Sequence, residues 1–238
     1  MTGTMAEMSC AQFAADLAAK RIVPGGGAAA ACAGALSAAL ASMVGNFTVG
    51  KERYAEHEAD VQRLLAESER IRIRLLELMD EDARAFEPLA AAYAIPKDAP
   101  ERAATLEAAT KGALEAPLEM MRQVAAVISV LEELRTKGSR MLLSDVGCGA
   151  ALAAGALRAA SLNVFVNTKA LQDRACADTA NAEAEALLAA AVRADEVFAA
   201  VTDAERGACM RQDVQKGRSK LDVQKGRSKS HIGKDDAH

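Results

Sequence analysis

The sequence contains no tryptophan, and aromatic residues make up only 3% of its 238 positions. Because β-strands favour aromatic and β-branched residues, this scarcity argues against a sheet. Only five prolines interrupt the chain, whereas alanine, the strongest helix former, is its most prominent residue. We therefore predict an all-α fold, a multihelical array of about seven helices that includes one of about 40 residues.

Histidine and cysteine are also scarce, with three and five residues respectively, and neither type forms an HxxxH or CxxC pair. The sequence therefore predicts no metal site and no disulfide framework, and the cysteines are typical of reduced thiols in the cytoplasm. Residues 1–8 include no basic residue and no hydrophobic run, so we expect no signal peptide. The apolar stretch 23–48 is mostly Ala and Gly, which favours a buried helix over a membrane span.

The net charge of -4 is unevenly distributed. Residues 213–238 contain seven Lys or Arg against four Asp, a balance of +3, which leaves -7 for residues 1–212. An acidic body argues against nucleic-acid binding. The segment Asp213–Lys220 recurs unchanged as Asp222–Lys229, and such a polar, basic repeat is typical of a disordered tail. We predict one helical domain over residues 1–212 followed by this tail, with an RNA-binding arm as the alternative.

Asp82 interrupts an apolar stripe on the long helix, which we place from near residue 52 to residue 93. Apolar positions recur there every three or four residues, and Asp82 lies four residues after Leu78 and four before Phe86. A carboxylate removed from water costs several kcal/mol unless it is paired or its pKa rises. Asp82 is therefore either half of a buried ion pair or a catalytic group. Its neighbour Asp80 falls outside the stripe and is expected to face water.

Gly25, Gly26 and Gly27 follow Pro24 and precede a helix of very small residues. Such a triplet can cradle an anion at a helix N-terminus, or it can serve as a flexible hinge and a tight helix entry. It is not a dinucleotide fingerprint, because the G-x-G-x-x-G spacing and a preceding strand are missing. A second run of small residues spans 147–160. Helices of this kind pack closely, either at the centre of a bundle or across a subunit interface.

Short motifs that follow one another along residues 5–205 resemble those of the cyclodeaminase/cyclohydrolase family. That family includes stand-alone methenyltetrahydrofolate cyclohydrolases and the C-terminal domain of formiminotransferase-cyclodeaminase. One departure is Ala28, where the family usually has Ser directly after the glycines. The motifs are Ala18–Gly27, then Thr48-x-Gly50-Lys51-x-x-Tyr54, then Asp80-Glu-Asp82-x-x-x-Phe86, then Pro96 and Pro117, and finally Ser144-Asp145-x-Gly147 leading to Asn163 and Asn167.

The resemblance implies an all-helical homodimer with a tetrahydrofolate site near the dimer interface, and it implies that Asp82 is the acid/base residue. The expected reaction is hydrolysis of 5,10-methenyltetrahydrofolate to 10-formyltetrahydrofolate, with no metal and no permanently bound cofactor. The alternative is formiminotetrahydrofolate cyclodeamination with release of ammonia. We favour the first because we find no formiminotransferase sequence in the chain. A non-catalytic helical assembly protein is the alternative outside the enzymes, but that function does not explain a carboxylate at Asp82 on the apolar stripe.

Other polar residues have two interpretations each. Asn163 and Asn167 share one helical face and can bind the pterin edge or bond between helices. Asp145 can contact substrate or cap a helix. Tyr54 can stack on the aminobenzoyl ring of folate or merely pack. Four cations can receive the glutamate carboxylates of folate or simply lie solvated at helix ends; they are Lys20, Arg21, Lys51 and Arg53.

Overall fold

The computed structural model describes the backbone of residues 4–229 and the side chains of residues 4–207. The described residues form helices and no strands, which confirms the predicted all-α class. Three short 3₁₀ segments, Met5–Glu7, Glu52–His57 and Arg140–Leu142, accompany the longer helices. The α-helices are α1 (Cys10–Ala18), α2 (Gly26–Thr48), α3 (Glu58–Ala94), α4 (Arg102–Gly112), α5 (Glu115–Lys137), α6 (Leu143–Ala170) and α7 (Arg174–Lys229).

Helix α2 lies between α3 and α6, and both of these helices run antiparallel to it. Gly27 near the start of α2 meets Asp82 late in α3, whereas Gly45 near its end meets Leu65 early in α3. On the other side, the hydroxyl of Ser37 donates a hydrogen bond to the carbonyl of Gly149 at 2.8 Å. α3 and α6 therefore run parallel to each other. α5 packs beneath these three helices, and α7 packs against α5 and α6.

The small residues of α2 and α6 permit this close packing. A Cβ on Gly34 would lie 2.8 Å from a methyl group of Val124, and a Cβ on Gly149 would lie 3.0 Å from Leu131. Larger side chains from α3 and α5 fill the remaining core. The largest fully buried ones include Leu64, Ile71, Leu75 and Leu78 of α3 and Met120, Met121, Ile128, Leu131 and Leu134 of α5.

The long helix begins later than the sequence predicts. α3 has 37 residues from Glu58 to Ala94, and residues 52–57 form a 3₁₀ segment instead of its first turns. Tyr54 has a non-helical backbone (φ -117, ψ 15), and its hydroxyl accepts a hydrogen bond from the Arg140 backbone at 3.0 Å. This tie to the segment before α6 holds the chain out of helical register. The propensities of the individual residues do not reveal it.

Helix α7 continues past residue 212 to Lys229, so residues 213–229 are helical rather than the disordered tail expected from composition. The physical reason is local. The duplicated segments contain no proline and one glycine each, and their Gln, Lys and Arg residues, like Leu221 between the two copies, are good helix formers. The domain boundary at residue 212 stays a prediction, and residues 230–238 of the expected tail lie outside the described residues.

α2 and α6 are long and apolar enough to cross a membrane, but 61% and 50% of their most apolar windows are buried inside the bundle. Because both helices turn their inner sides toward α5, their outer sides lie next to each other. That outer side is apolar as well: Leu36 and Leu162 are 53% and 67% exposed. We call this surface the outer α2/α6 face, and it comprises Leu36, Met43, Phe47, Leu152, Leu162 and Val166.

Candidate active site

A cavity of about 190 Å³ lies where α2 begins, and we call it the first cavity. Parts of α3, α6 and the junction between α4 and α5 complete its wall. Six of the site residues predicted from the sequence meet here, although they are spread over more than 140 positions of the chain. The lining residues are Ile22, Val23, Gly25, Gly26, Gly27, Asp82, Phe86, Ala113, Pro117, Asn163, Val166 and Asn167.

Asp82 lies directly against Gly27 in the first turn of α2. A Cβ built on Gly27 would fall 2.4 Å from the nearest carboxylate oxygen of Asp82, a separation that no real side chain tolerates. The glycine is therefore a spacer that admits the carboxylate to the start of the helix. This role is more specific than the flexible hinge that the triplet alone indicates.

The Asp82 carboxyl is largely buried, and its burial raises its pKa above the ordinary 3.8. A hydrogen bond from the backbone N–H of Ala28 opposes this shift, because it favours the charged form. No Lys or Arg lines the first cavity, and within the described residues no ion pair involves Asp82. The ion-pair explanation of Asp82 therefore finds no support in this chain. A buried carboxyl with a raised pKa and access to a cavity is suited to proton transfer.

Ala28, the departure from the family pattern, is 1% exposed and packs in the core. Its contact with Asp82 comes from the backbone N–H, which any residue except proline would supply. Loss of the usual hydroxyl therefore leaves the helix-to-carboxylate contact in place.

The two asparagines bring amide groups to the cavity from α6. Asn163 donates to the carbonyl of Ala159 in its own helix at 3.1 Å, and Asn167 donates across to the carbonyl of Ala113 at 3.0 Å. Within the described part of the chain, no protein donor bonds to either amide oxygen. Asn167 therefore ties α6 to the α4–α5 junction, the second of its two predicted roles, and leaves its amide oxygen as an acceptor in the cavity wall.

Lys51, Tyr54 and Asp145 lie at the opposite end of the bundle from the first cavity. Lys51 follows the end of α2, and the 23 residues from Gly26 to Thr48 span about 33 Å of helix. Asp145, in the first turn of α6, lies 18 residues and therefore about 27 Å from Asn163. Tyr54 holds the Arg140 backbone, and that bond lowers the pKa of its hydroxyl. A single chain does not bring these three residues to Asp82.

Several wall residues were not predicted as site residues, because they are apolar and carry no chemical signature. Ile22, Val23, Ala113, Pro117 and Val166 have no polar group to mark them. Phe86 was recognisable only as one turn of helix beyond Asp82.

Asp80 also differs from expectation, because it is partly buried and accepts a hydrogen bond from the Met5 backbone at 3.0 Å. It therefore fastens the N-terminal 3₁₀ segment to α3 instead of facing water freely.

Comparison with known proteins identifies the family. The sequence profile described as formiminotransferase-cyclodeaminase matches residues 9–186, which is well over half of the chain. The chain belongs to the formiminotransferase-cyclodeaminase family. Within this family, it is 43% identical over 183 residues to a methenyltetrahydrofolate cyclohydrolase of Methylorubrum extorquens, with 75% of this chain and 88% of that protein covered. It is also 35% identical over 167 residues to the formimidoyltransferase-cyclodeaminase of Sus scrofa, of which it spans 31%.

A solved structure shares the fold of this family member. The formiminotetrahydrofolate cyclodeaminase from Thermotoga maritima superimposes with a TM-score of 0.74 and 28% sequence identity. The match covers 82% of this chain and 98% of that chain. Among the described residues, no group of three or more His, Cys, Asp or Glu side chains is placed to hold a metal ion.

Proposed function

We propose that this protein hydrolyses 5,10-methenyltetrahydrofolate to 10-formyltetrahydrofolate. The observation that carries the proposal is the Asp82 carboxyl, which is buried without a cation, touches the start of α2 and lines a cavity. The similarity to a methenyltetrahydrofolate cyclohydrolase over most of both chains supports the same reaction.

The chemistry needs one group that moves a proton. The substrate carries a cationic amidine carbon between N5 and N10, and water must add to this carbon. Asp82 in its charged form stabilises the cation and takes a proton from the attacking water. The C–N5 bond of the resulting carbinolamine then breaks while Asp82 returns the proton to N5. The carbinolamine hydroxyl loses its proton to solvent as it becomes the carbonyl of the formyl group, which remains on N10. A raised pKa makes the carboxylate a better base, so that it takes up a proton more readily at neutral pH.

The size of the first cavity indicates which part of the substrate enters it. About 190 Å³ accommodates the bicyclic pterin end, whereas the aminobenzoyl-glutamate end must extend beyond it. The amide oxygens of Asn163 and Asn167 can accept hydrogen bonds from the pterin edge. Phe86 provides an apolar wall one helical turn from Asp82, against which a flat ring can pack.

The second candidate is formiminotetrahydrofolate cyclodeamination, which releases ammonia. It is favoured by the fold shared with the Thermotoga maritima cyclodeaminase and by the cyclodeaminase relatives. Both reactions place a tetrahedral carbon beside N5 and need one proton carrier, so the same Asp82 serves either. The choice of cyclohydrolase rests on the higher identity to that relative.

A direct assay separates the two reactions. Purified protein is mixed with 5,10-methenyltetrahydrofolate, and loss of the methenyl absorbance is followed against a buffer blank. In parallel, 5-formiminotetrahydrofolate is supplied and released ammonia is measured. Faster loss of absorbance supports the proposal, and ammonia release without it supports cyclodeamination. Absence of both activities and of folate binding would favour the non-catalytic assembly protein.

We also propose that the protein is a homodimer that pairs through the outer α2/α6 face. The 23 residues of α2 include no charged side chain, so two copies can approach there without burying charge. Two helices about 34 Å long and about 10 Å apart offer roughly 700 Å² per copy. This value is near the 800 Å² per subunit of a standard stable interface.

We propose a cytoplasmic location for the protein. Cys10, Cys32, Cys148 and Cys176 are all free in the structure, as suits a compartment that keeps thiols reduced.

A further inference from the structure

The first cavity lacks a counter-charge for one end of the proposed substrate. Tetrahydrofolate derivatives end in a glutamate with two carboxylates, yet no Lys or Arg lines this cavity. None of the four cations predicted from the sequence lines this cavity. Arg21 pairs with the buried Asp16 at 3.1 Å, and Lys51 lies at the opposite end of α2.

A second cavity of about 280 Å³ lies beyond the first along α6 and α4. On α6, Val166 lines the first cavity, and Ala170, one turn further, lines the second. On α4, Leu106 lines the second cavity, and Ala113, just past the helix end, lines the first. These spacings correspond to about 6 Å and about 10 Å. A substrate that leaves the first cavity along α6 therefore reaches the second after roughly one aromatic ring.

The second cavity contains two cations, Lys97 and Arg102. Arg102 is held in place because its Nη1 donates to the backbone carbonyls of Tyr93 and Ile95, which cap the end of α3. The donors on Nε and Nη2 stay available, since no described residue accepts from them. Lys97 is exposed, and no described carboxylate forms an ion pair with it.

One carboxylate, Glu107, lines the same cavity, but its oxygens are already engaged. They accept hydrogen bonds from the backbone N–H groups of Gln172 and Asp173 at 2.8 and 2.9 Å. These bonds lower the pKa of Glu107, and Lys111 adds to the shift. The cavity therefore keeps a net positive charge after its own carboxylate is counted.

We propose that the second cavity binds the glutamate end of the folate substrate, with one carboxylate on Lys97 and the other on the free donors of Arg102. The aminobenzoyl ring then spans the passage between the two cavities beside Val166 and Ala170. This assignment rests on the proposed folate function and adds a subsite to it. Guanidinium–carboxylate pairs combine charge and fixed geometry, so the subsite also fixes how deeply the pterin enters.

The test compares two substrates in two variants. The substrates are 5,10-methenyltetrahydrofolate and the corresponding pteroate, which lacks the glutamate. We expect Lys97→Gln to raise KM for the folate at least about tenfold, in line with the loss of a charge-assisted hydrogen bond. The KM for the pteroate should stay within about twofold of wild type, because it has no glutamate to lose. Lys137→Gln is the matched control: Lys137 ends α5, pairs with Asp60 and Glu133 and lines neither cavity, so this variant should change neither value.

Equal effects of Lys97→Gln on folate and pteroate, or no effect on either, would overturn the glutamate subsite. The same comparison is made by equilibrium binding of tetrahydrofolate and tetrahydropteroate, which needs no turnover. A wild-type protein that turns over neither substrate, but loses tetrahydrofolate affinity only in Lys97→Gln, would refute the proposed reaction and keep the subsite. The two proposals therefore fail separately.

Discussion

The Asp82 carboxylate fills the space that a side chain on Gly27 would take: a Cβ on the glycine would lie 2.4 Å from Oδ2 and 2.5 Å from Oδ1. The absence of a side chain at position 27 is thus what lets a residue of α3 touch the first turn of α2. The carboxyl gains a backbone hydrogen bond from Ala28 there and is buried against the helix.

Gly27→Ala is the first prediction that follows from this contact. Alanine is the better helix former by up to about 1 kcal/mol, so the helix itself should tolerate it. The new methyl group must displace the carboxylate, and we expect turnover to fall more than about tenfold because a misplaced catalytic group loses its geometry. Steady-state kinetics and the melting temperature are measured together.

Gly26→Ala is the matched control for this substitution. Its Cβ would lie 3.8 Å from the nearest atom of Asn163, which is ordinary van der Waals contact. Turnover should stay within about threefold of wild type, because no catalytic group moves. If both variants lost activity equally, or neither did, the spacer role of Gly27 would be untenable.

The pH dependence of kcat/KM should report the pKa of Asp82. Burial raises this pKa above 3.8, and the charged form is the one that accepts a proton from water. Activity should therefore fall as the pH drops through a midpoint above 3.8, by about tenfold for each unit below it. A profile that is flat down to pH 4 would show that no group with a raised pKa is needed.

The same carboxyl affects stability with a definite sign. Because its pKa is higher in the folded state, the folded protein binds the proton more tightly than the unfolded chain. Its charged form is therefore a destabilising element at neutral pH, and this cost disappears as the pH falls through the raised pKa toward 3.8. We expect Asp82→Asn to melt at or above the wild-type temperature at pH 7, with the difference shrinking at lower pH. Thermal melts between pH 4 and pH 8 test this, and a variant that melts lower at every pH would contradict it.

The outer α2/α6 face predicts the oligomeric state. Leu36→Glu places a charge at its centre and should convert a dimer to the 24.8 kDa monomer, as measured by light scattering after size exclusion. Ile73→Glu on α3 is the control. Its side chain is 50% exposed, and its neighbours Arg72 and Arg74 are engaged in ion pairs. A wild-type monomer, or dimers that survive Leu36→Glu, would disprove this interface.

The sequence predicted those parts of the site in which a residue type is unusual for its position in a helix. Asp82 stood out because a carboxylate lay on an apolar stripe, and the glycines stood out because a triplet breaks a helix. Both lie in the cavity. Periodicity and composition also predicted the all-α class, the close packing of the small-residue helices and the approximate extent of α3.

What the sequence could not predict depends on which helix ends meet in space. Lys51, Tyr54 and Asp145 have the right chemistry for a folate site, but antiparallel packing carries them to the far end of α2 and α6. Lys97 gave no local signal, and it gains significance only because it lines a cavity together with α4 and the end of α6. The disordered tail was inferred from charge, whereas continuity of helix α7 depends on the absence of a stop signal.

The most direct test of the account is the turnover of Asp82→Asn. The amide fits the same space between Leu78 and Phe86 but neither carries charge nor accepts a proton at neutral pH. We expect turnover of 5,10-methenyltetrahydrofolate to fall at least about 100-fold, or about 3 kcal/mol in barrier, with a much smaller change in substrate affinity. Asp80→Asn, whose amide oxygen can still accept from Met5, should lose less than about tenfold. A folded Asp82→Asn protein with near wild-type turnover would remove Asp82 from the mechanism.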